Sequence, residues 1–534
     1  MSNTLEQHPA NTGRHAGILL PLFSMRSDTD WGIGDFGALS SWIEWTAAHK
    51  TRILQILPIN EMPPGQECPY TALSAFALDP MFISVELVED VRHSPAAREY
   101  LASPEAQDSI AKWRKSDTVL YGPIKDLKYR VLWMAFQHFH KNDIAKGSAR
   151  AMSFRKYREE QAYWLNDYST FRTMKDVDGW KSWTHWPEPL RNHESAAIDK
   201  FRREHATQVL FFEYLQWLAD LQWHQAKKKA RELGVWMFGD LPFMVNQESA
   251  DVWGHQDIFD ISREIGAPPD QFSTEGQRWG LPAYRWQKLE ESGFAWWKTR
   301  VGRAVEIYDL FRLDHLVGFF RTWVIPHEKG SKPHFDTLGD VNQQQRGERF
   351  LRAVISASGG ALPVAEDLGL IPPFVRHTLD DLRIPGYKVM RWEMIGDGPR
   401  YKGPEDYPTV SLATTSTHDT ETLRQWWDEL KPESRDMFWE MVTGEKNRHP
   451  RWSERVQVET IKRLLYSRSS IVLFPLQDVL GTAERINTPG TVGPHNWTWR
   501  FALTPEKLNA STKYKDVLHT WKCLVAESGR GLRK

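Results

Sequence analysis

VWMFGDLP, residues 235–242, is the stretch on which the reading of the fold depends. It is a short apolar run that breaks into Gly, Asp and Pro. It is entered through Gly234, a good helix stop, after the lysine-rich helical pattern of residues 217–233. A helix, a stop, a buried strand and a polar loop make one unit of a βα repeat. The same grammar recurs upstream, where TRILQILP (51–58) follows a helical stretch at 39–49. Downstream it returns in IYDLFRLD (307–314), LPVAED (362–367), VSLATTSTHD (410–419) and SIVLFP (470–475). The expectation is an α/β barrel with insertions. Several of these strands end on a carboxylate or a histidine, and the C-terminal strand ends of such a barrel form its active face.

Between the βα units the texture changes. Residues 88–233 carry long, charged, aromatic-bearing segments with helical spacing and are expected to pack as a helical insertion. The remaining expected divisions are a polar N-terminal tail (1–16), a first part of the barrel (17–87) and the rest of the barrel (234–534). Within that last part, residues 247–291 are rich in Gly, Pro, Trp and Gln and are expected to form a structured loop over the barrel mouth.

Composition narrows the function classes. The 534 residues include 68 basic and 69 acidic side chains with no basic run, so neither nucleic acid nor another polyanion is the expected partner. No apolar stretch approaches the roughly 20 residues that cross a bilayer. Two cysteines are too few for a disulfide framework, and the start lacks a signal-peptide pattern, so a cytoplasmic location is expected. The 26 tryptophans suit the C–H faces of sugar rings, although most large aromatics fill cores.

Three strand ends carry the chemistry. Asp314 in FRLDH has Arg312 two positions earlier, on the same face of an extended strand, where a guanidinium favours the ionised carboxylate. Glu366 and Asp367 end LPVAED and point to opposite sides; periodicity does not say which faces the pocket. His418 and Asp419 lie in TTSTHDTET, where Thr417, Asp419 or Thr420 could equally open the next helix as its N-cap. Singly, each of these admits a structural role. Together they place three acids at three strand ends of one barrel face, and two acids suffice for glycoside chemistry by double displacement. No histidine pair has metal-ligand spacing, and nucleophile-elbow, P-loop and dinucleotide motifs are absent, so catalysis without metal or cofactor is expected.

The chain resembles the amylomaltases, the 4-α-glucanotransferases of glycoside hydrolase family 77. The resemblance runs from about residue 17 to about residue 500, through GILLPLFSM, WGIGDFG, LQILPIN, CPYTALSAFALDP, GDLPF, SADVW, GAPPDQFS, GQRWGLPAYRW, FRLDHLVGFFR, VAEDLG, STHDTET and NTPGTVGPHNWTWR. It implies a (β/α)8 TIM barrel with inserted helical and loop subdomains, no cofactor, and transfer of α-1,4-glucan segments from a maltooligosaccharide donor to an acceptor. Carried over by position, it makes Asp314 the nucleophile, Glu366 the general acid/base and Asp419 the transition-state stabiliser. Arg312 becomes the partner of Asp314, and Asp367 supports Glu366. Tyr70, His315, His418 and Asn487 become sugar ligands, and Gln277 and Trp279 belong to a loop over the cleft. Glu248 stands before SADVW where many members have aspartate, at another sugar contact, and Cys68 replaces the serine common before Pro-Tyr.

A glycosyl-enzyme can be released by water or by a sugar hydroxyl. Transfer wins if the acceptor is held in place at an effective molarity of about 10⁵ M or more. The aromatics Phe272, Trp279, Tyr284 and Trp286 are expected to stack on the acceptor and exclude water. The alternatives are an α-amylase-type retaining hydrolase, with the same acids but poorer acceptor sites, and a catalytically silent glucan-binding protein.

Overall fold

The computed structural model describes residues 5–269, 275–396, 400–446, 448 and 450–532. The strands, in chain order, are His15–Leu19 (β1), Ile53–Gln55 (β2), Trp236–Leu241 (β3), Phe259–Ala267 (β4), Gln277–Tyr284 (β5) and Leu310–Leu313 (β6). They continue as Trp323–Pro326 (β7), His334–Phe335 (β8), Leu362–Ala365 (β9), Gly386–Val389 (β10), Ser411–Thr414 (β11) and Ile471–Pro475 (β12). A closed barrel of eight parallel strands runs in the order β1, β2, β3, β6, β9, β10, β11, β12. The strands are almost wholly buried, as expected where a parallel sheet is covered by helices. This is the (β/α)8 barrel.

The stretch that suggested the fold behaves as its chemistry dictates. The helix Ala206–Glu232 ends at Leu233, and Gly234 adopts φ +73°, the left-handed turn that frees the chain to enter β3. Within β3 a Cβ on Gly239 would lie 2.2 Å from the Tyr308 ring, so only glycine fits there.

Between residues 88 and 233 the described chain is helical, from Glu89–His93 to Ala206–Glu232. The last of these helices serves two bodies: its indole Trp223 reaches the Ile307 carbonyl at 3.1 Å and packs on Phe36 of the barrel helix Phe36–Ala48. The insertion and the barrel wall are therefore continuous at that end.

Three details depart from the sequence reading. Residues 5–14, expected to be part of a polar tail, pack under the barrel: Leu5 and Ala10 are buried, and the Asn11 amide bonds the Leu5 and Arg383 carbonyls. Strand β10 was not among the expected strands, since GYKV is short and carries a lysine; it is a strand because it pairs with β11 over four residues. The 247–291 region is more regular than a loop. Its β4 and β5 form an antiparallel hairpin, extended through β7 and β8 into the four-stranded sheet β5-β4-β7-β8. That pairing joins residues 263–266 to 323–326, which local sequence does not announce. Phe272 lies outside the described residues. Among the described residues, no helix is long and apolar enough to cross a membrane.

Candidate active site

The strand ends deliver their polar residues to one face. Arg312 is in β6 and Asp314 just beyond it, Glu366 follows β9, and His418 and Asp419 follow β11. Tyr70 comes from the loop after β2 and Asn487 from the segment after β12.

Arg312 organises the cluster and is almost fully buried. One guanidinium arm, Nη1, lies 2.9 Å from Asp314 Oδ1 and bonds both oxygens of Asp240 at 2.8 and 2.9 Å. The other, Nη2, lies 2.7 Å from Glu366 Oε1. One rigid fork thus ties the two expected catalytic acids together, which lysine could not do. The second oxygen of Asp314 receives the Phe243 backbone N–H at 3.1 Å, and that of Glu366 the His315 N–H at 2.7 Å.

From Asp240 the network continues. The Tyr70 hydroxyl donates to Asp240 at 2.8 Å and therefore accepts from His418 Nε2 at 2.9 Å. The same nitrogen lies 3.2 Å from Asp419 Oδ2, while the Asn487 amide donates to Asp419 Oδ1 at 2.6 Å. Seven side chains, from Glu366 through Arg312, Asp240, Tyr70, His418 and Asp419 to Asn487, form one chain of contacts.

The electrostatics separate the acids. Burial pushes Glu366 up to about 7 against the opposing pull of Arg312, and the neighbouring Asp314 charge adds to the rise. Burial also works against the Asp419 charge, but His418 and the bonds from His418 and Asn487 hold this carboxyl at about 2. Near neutral pH one carboxyl can carry a proton and another cannot, which is the division of labour acid catalysis needs. Burial keeps His315 neutral, down at about 4.

A family model for the 4-α-glucanotransferases, glycoside hydrolase family 77, matches residues 20–504. The chain belongs to this family. The 4-α-glucanotransferase of Chlamydia pneumoniae is 32% identical over 518 residues, covering 94% of this chain and 94% of that protein. The Thermus thermophilus 4-α-glucanotransferase is 31% identical over 513 residues, with 92% and 96% covered. An amylomaltase from Streptococcus agalactiae, solved in complex with acarbose, superposes with a TM-score of 0.82 at 25% identity, over 97% of this chain and 100% of that one.

Within this glucanotransferase-family barrel the remaining expected residues divide into two groups. Gln277 and Trp279 on edge strand β5 approach the cluster through His315, whose N–H holds Glu366: the Trp279 indole donates to Gln277 Oε1 at 3.0 Å, and its ring meets His315 edge-on at 4.8 Å. Asp367 and Glu248 do not reach it. Asp367 faces the far side of β9, accepting from the Tyr387 N–H at 2.7 Å and Arg376 at 3.3 Å, with Lys388 at 3.5 Å. Glu248 turns to the helical insertion, bonding Lys175 and Ser182, each at 2.5 Å. Asp367 therefore lies apart from the cluster it was expected to support, and Glu248 apart from the sugar contact expected of it. Tyr284 and Trp286 also differ from expectation: both are buried, with the Tyr284 hydroxyl on the Phe243 carbonyl and Trp286 against the Arg346 guanidinium, so they pack the sheet and are not open to an acceptor.

The ambiguity at 417–420 also resolves. Thr422 caps the next helix, Leu423–Glu429, in a reciprocal box with Gln425, which leaves Asp419 free for the cluster. The loop is braced from behind by buried Asp478, which accepts from Thr415, Ser416 and the Leu423 N–H. Arg485 clamps the Asp419 and Asn487 carbonyls at 2.9 and 2.6 Å. Sequence reasoning passed over Asp240, Asp478, Arg485 and the Phe243 amide. Asp240 alone left a signal, as the carboxylate ending VWMFGDLP.

Proposed function

We propose that the protein transfers α-1,4-glucan segments between maltooligosaccharides by retaining double displacement, with Asp314 as nucleophile, Glu366 as acid/base and Asp419 as transition-state stabiliser. The observation that carries this reading is the single Arg312 fork between Asp314 and Glu366, with Glu366 poised to hold a proton. Glu366 protonates the glycosidic oxygen while Asp314 bonds the anomeric carbon and the leaving glucan departs. Once Asp314 is esterified its charge is gone. The contribution of that charge to the Glu366 proton affinity goes with it, so Glu366 is held ionised, the form that can accept the proton of the acceptor 4-hydroxyl. Asp419, held ionised, stabilises the positive charge that develops on the sugar. Tyr70, His418 and Asn487 fix its position, and Trp279 with His315 walls the acceptor side against water. The two free cysteines, Cys68 and Cys523, fit a reducing compartment such as the cytoplasm.

Incubation with maltotriose is the test. A ladder of longer maltooligosaccharides together with glucose is expected. Maltose and glucose alone would assign a hydrolase, and unchanged maltotriose a binding protein.

A further inference from the structure

The Asp314 carboxylate is held by more than Arg312. Its second oxygen takes the Phe243 N–H at 3.1 Å, and the carbonyl of that same residue accepts the Tyr284 hydroxyl at 2.9 Å. Residue 243 is thus gripped at both of its backbone groups. Its ring is fixed as well, meeting Tyr284, His315 and Phe319 edge-on at 5.7, 5.4 and 4.8 Å, and a Cβ on Gly318 would come within 2.8 Å of it. Tyr284 ends β5, the strand that carries Gln277 and Trp279 towards its other end, so one element builds the cleft wall and holds the loop behind Asp314.

Behind Tyr284 lies a buried cation. Arg300, on the helix Ala295–Ile307, is 2% exposed, and its Nε and Nη1 hydrogens meet no acceptor among the described residues. Its guanidinium lies over the indoles of Trp296 and Trp297 at 5.5 and 4.6 Å. Burial works against this charge, and the groups that favour it are, in falling order, Tyr284, Asp251, Asp314 and Asp240. Tyr284 feels it in return: burial disfavours negative charge on the phenol oxygen, and Arg300 is the strongest influence the other way. A side chain needed only for volume would be apolar here, because a buried cation without a close carboxylate is costly.

We propose that Tyr284 and Arg300 are positioning residues for the glycosylation step: acting through residue 243, they hold the Asp314 carboxylate in line with the anomeric carbon, and neither touches the sugar. A cation behind the phenol polarises its O–H, so the hydroxyl donates more strongly to the Phe243 carbonyl. That bond pins the residue whose N–H fixes one Asp314 oxygen while Arg312 fixes the other. With both oxygens held, the carboxylate has little rotation left to lose when it attacks, which is the gain of a pre-oriented nucleophile. The inference rests on Asp314 as that nucleophile.

The experiment follows fluoride release from α-glucosyl fluoride in the first turnover of the full chain, because this step reports attack by Asp314 and needs little help from Glu366. Tyr284→Phe removes one hydroxyl and keeps the ring; its limiting rate should fall about ten- to a hundredfold, with the half-saturating concentration unchanged within about twofold. Arg300→Met should fall as far, and Arg300→Lys, which keeps the charge, should recover at least about threefold of that loss. The double variant of Tyr284→Phe with Arg300→Met should match Tyr284→Phe alone within about twofold, because both changes act on the same carbonyl. Losses that multiply, a raised half-saturating concentration at wild-type limiting rate, or a Tyr284→Phe variant as fast as wild type would each overturn the proposal. If Arg300→Met does not fold, the rate and half-saturation of Tyr284→Phe decide it. Asp314→Asn checks the underlying assignment separately: release there at wild-type rate removes Asp314 as nucleophile and the proposal with it. Hydrolysis of maltotriose in place of transfer would remove the transferase reading, while the fluoride result still decides the role of Tyr284.

Discussion

Asp240→Asn tests whether the buried fork sets the protonation of the acid catalyst. Asp240 is fully buried and balances Arg312, whose other arm holds Glu366. The Asp240 and Glu366 oxygens sit 2.8 and 2.7 Å from nitrogens of one guanidinium. That places them roughly 7 Å apart, where two unit charges at an effective dielectric near 20 interact by about 2 kcal/mol, or one to two pH units. Removing the Asp240 charge takes a like charge from near Glu366 while the attraction of Arg312 remains, and this favours the ionised glutamate. Glu366 should therefore fall from about 7 towards 5 or 6, by about the 2 kcal/mol worked above. The active form needs the proton, so the alkaline limb of kcat/KM with maltotriose should move down by that amount, while near-ultraviolet circular dichroism shows an intact fold. Asparagine still accepts a hydrogen bond, and Arg312 keeps two acids, so the stability loss should be about 1–3 kcal/mol, below that of an orphaned buried pair. An alkaline limb that stays in place, or moves upward, would refute the coupling of Glu366 to Asp240 through Arg312.

Other consequences follow from the same geometry. Glu366→Gln should lose about 10²–10⁴-fold with natural glucans yet still be glycosylated by α-glucosyl fluoride, and azide should release an α-glycosyl azide. Asp314→Gly with azide should give the β product instead, and NMR of the two azides distinguishes them; swapped anomers would reverse the roles. Asp367→Asn should keep the acid/base chemistry, because this carboxylate is held by Arg376 and Lys388 behind β9, and should appear mainly as a lowered urea midpoint. A fluoride-dependent phenotype like that of Glu366→Gln would contradict this. Trp279→Ala opens the wall beside His315 and should raise the ratio of hydrolysis, read as new reducing ends, to transfer; an unchanged ratio in a folded variant makes Trp279 a packing residue.

The sequence by itself determined the repeat and the three acids. An apolar strand between a helix stop and a polar loop is a local pattern, because burial on both faces of a parallel strand demands an unbroken apolar run. Such runs are visible in LPVAED and FRLDH, along with the carboxylates at their ends. Which of Glu366 and Asp367 faces the cleft could not be read the same way. Both side chains are compatible with a strand end, and only the partners supplied by β10 and the helix Pro373–Leu382 draw Asp367 outward. The sheet built from β4, β5, β7 and β8 was hidden for a similar reason, since its pairing energy comes from residues about sixty positions apart in the chain, and loop-closure over such distances leaves no local signature. Asp240 makes the same point at the site itself. It ends the most informative strand in the sequence, yet its role exists only because barrel closure sets β3 beside β6 and brings its carboxylate within reach of Arg312 and Tyr70. Chain chemistry chose the groups; the closed barrel chose their partners, because charge interactions depend on distances that only the tertiary fold defines.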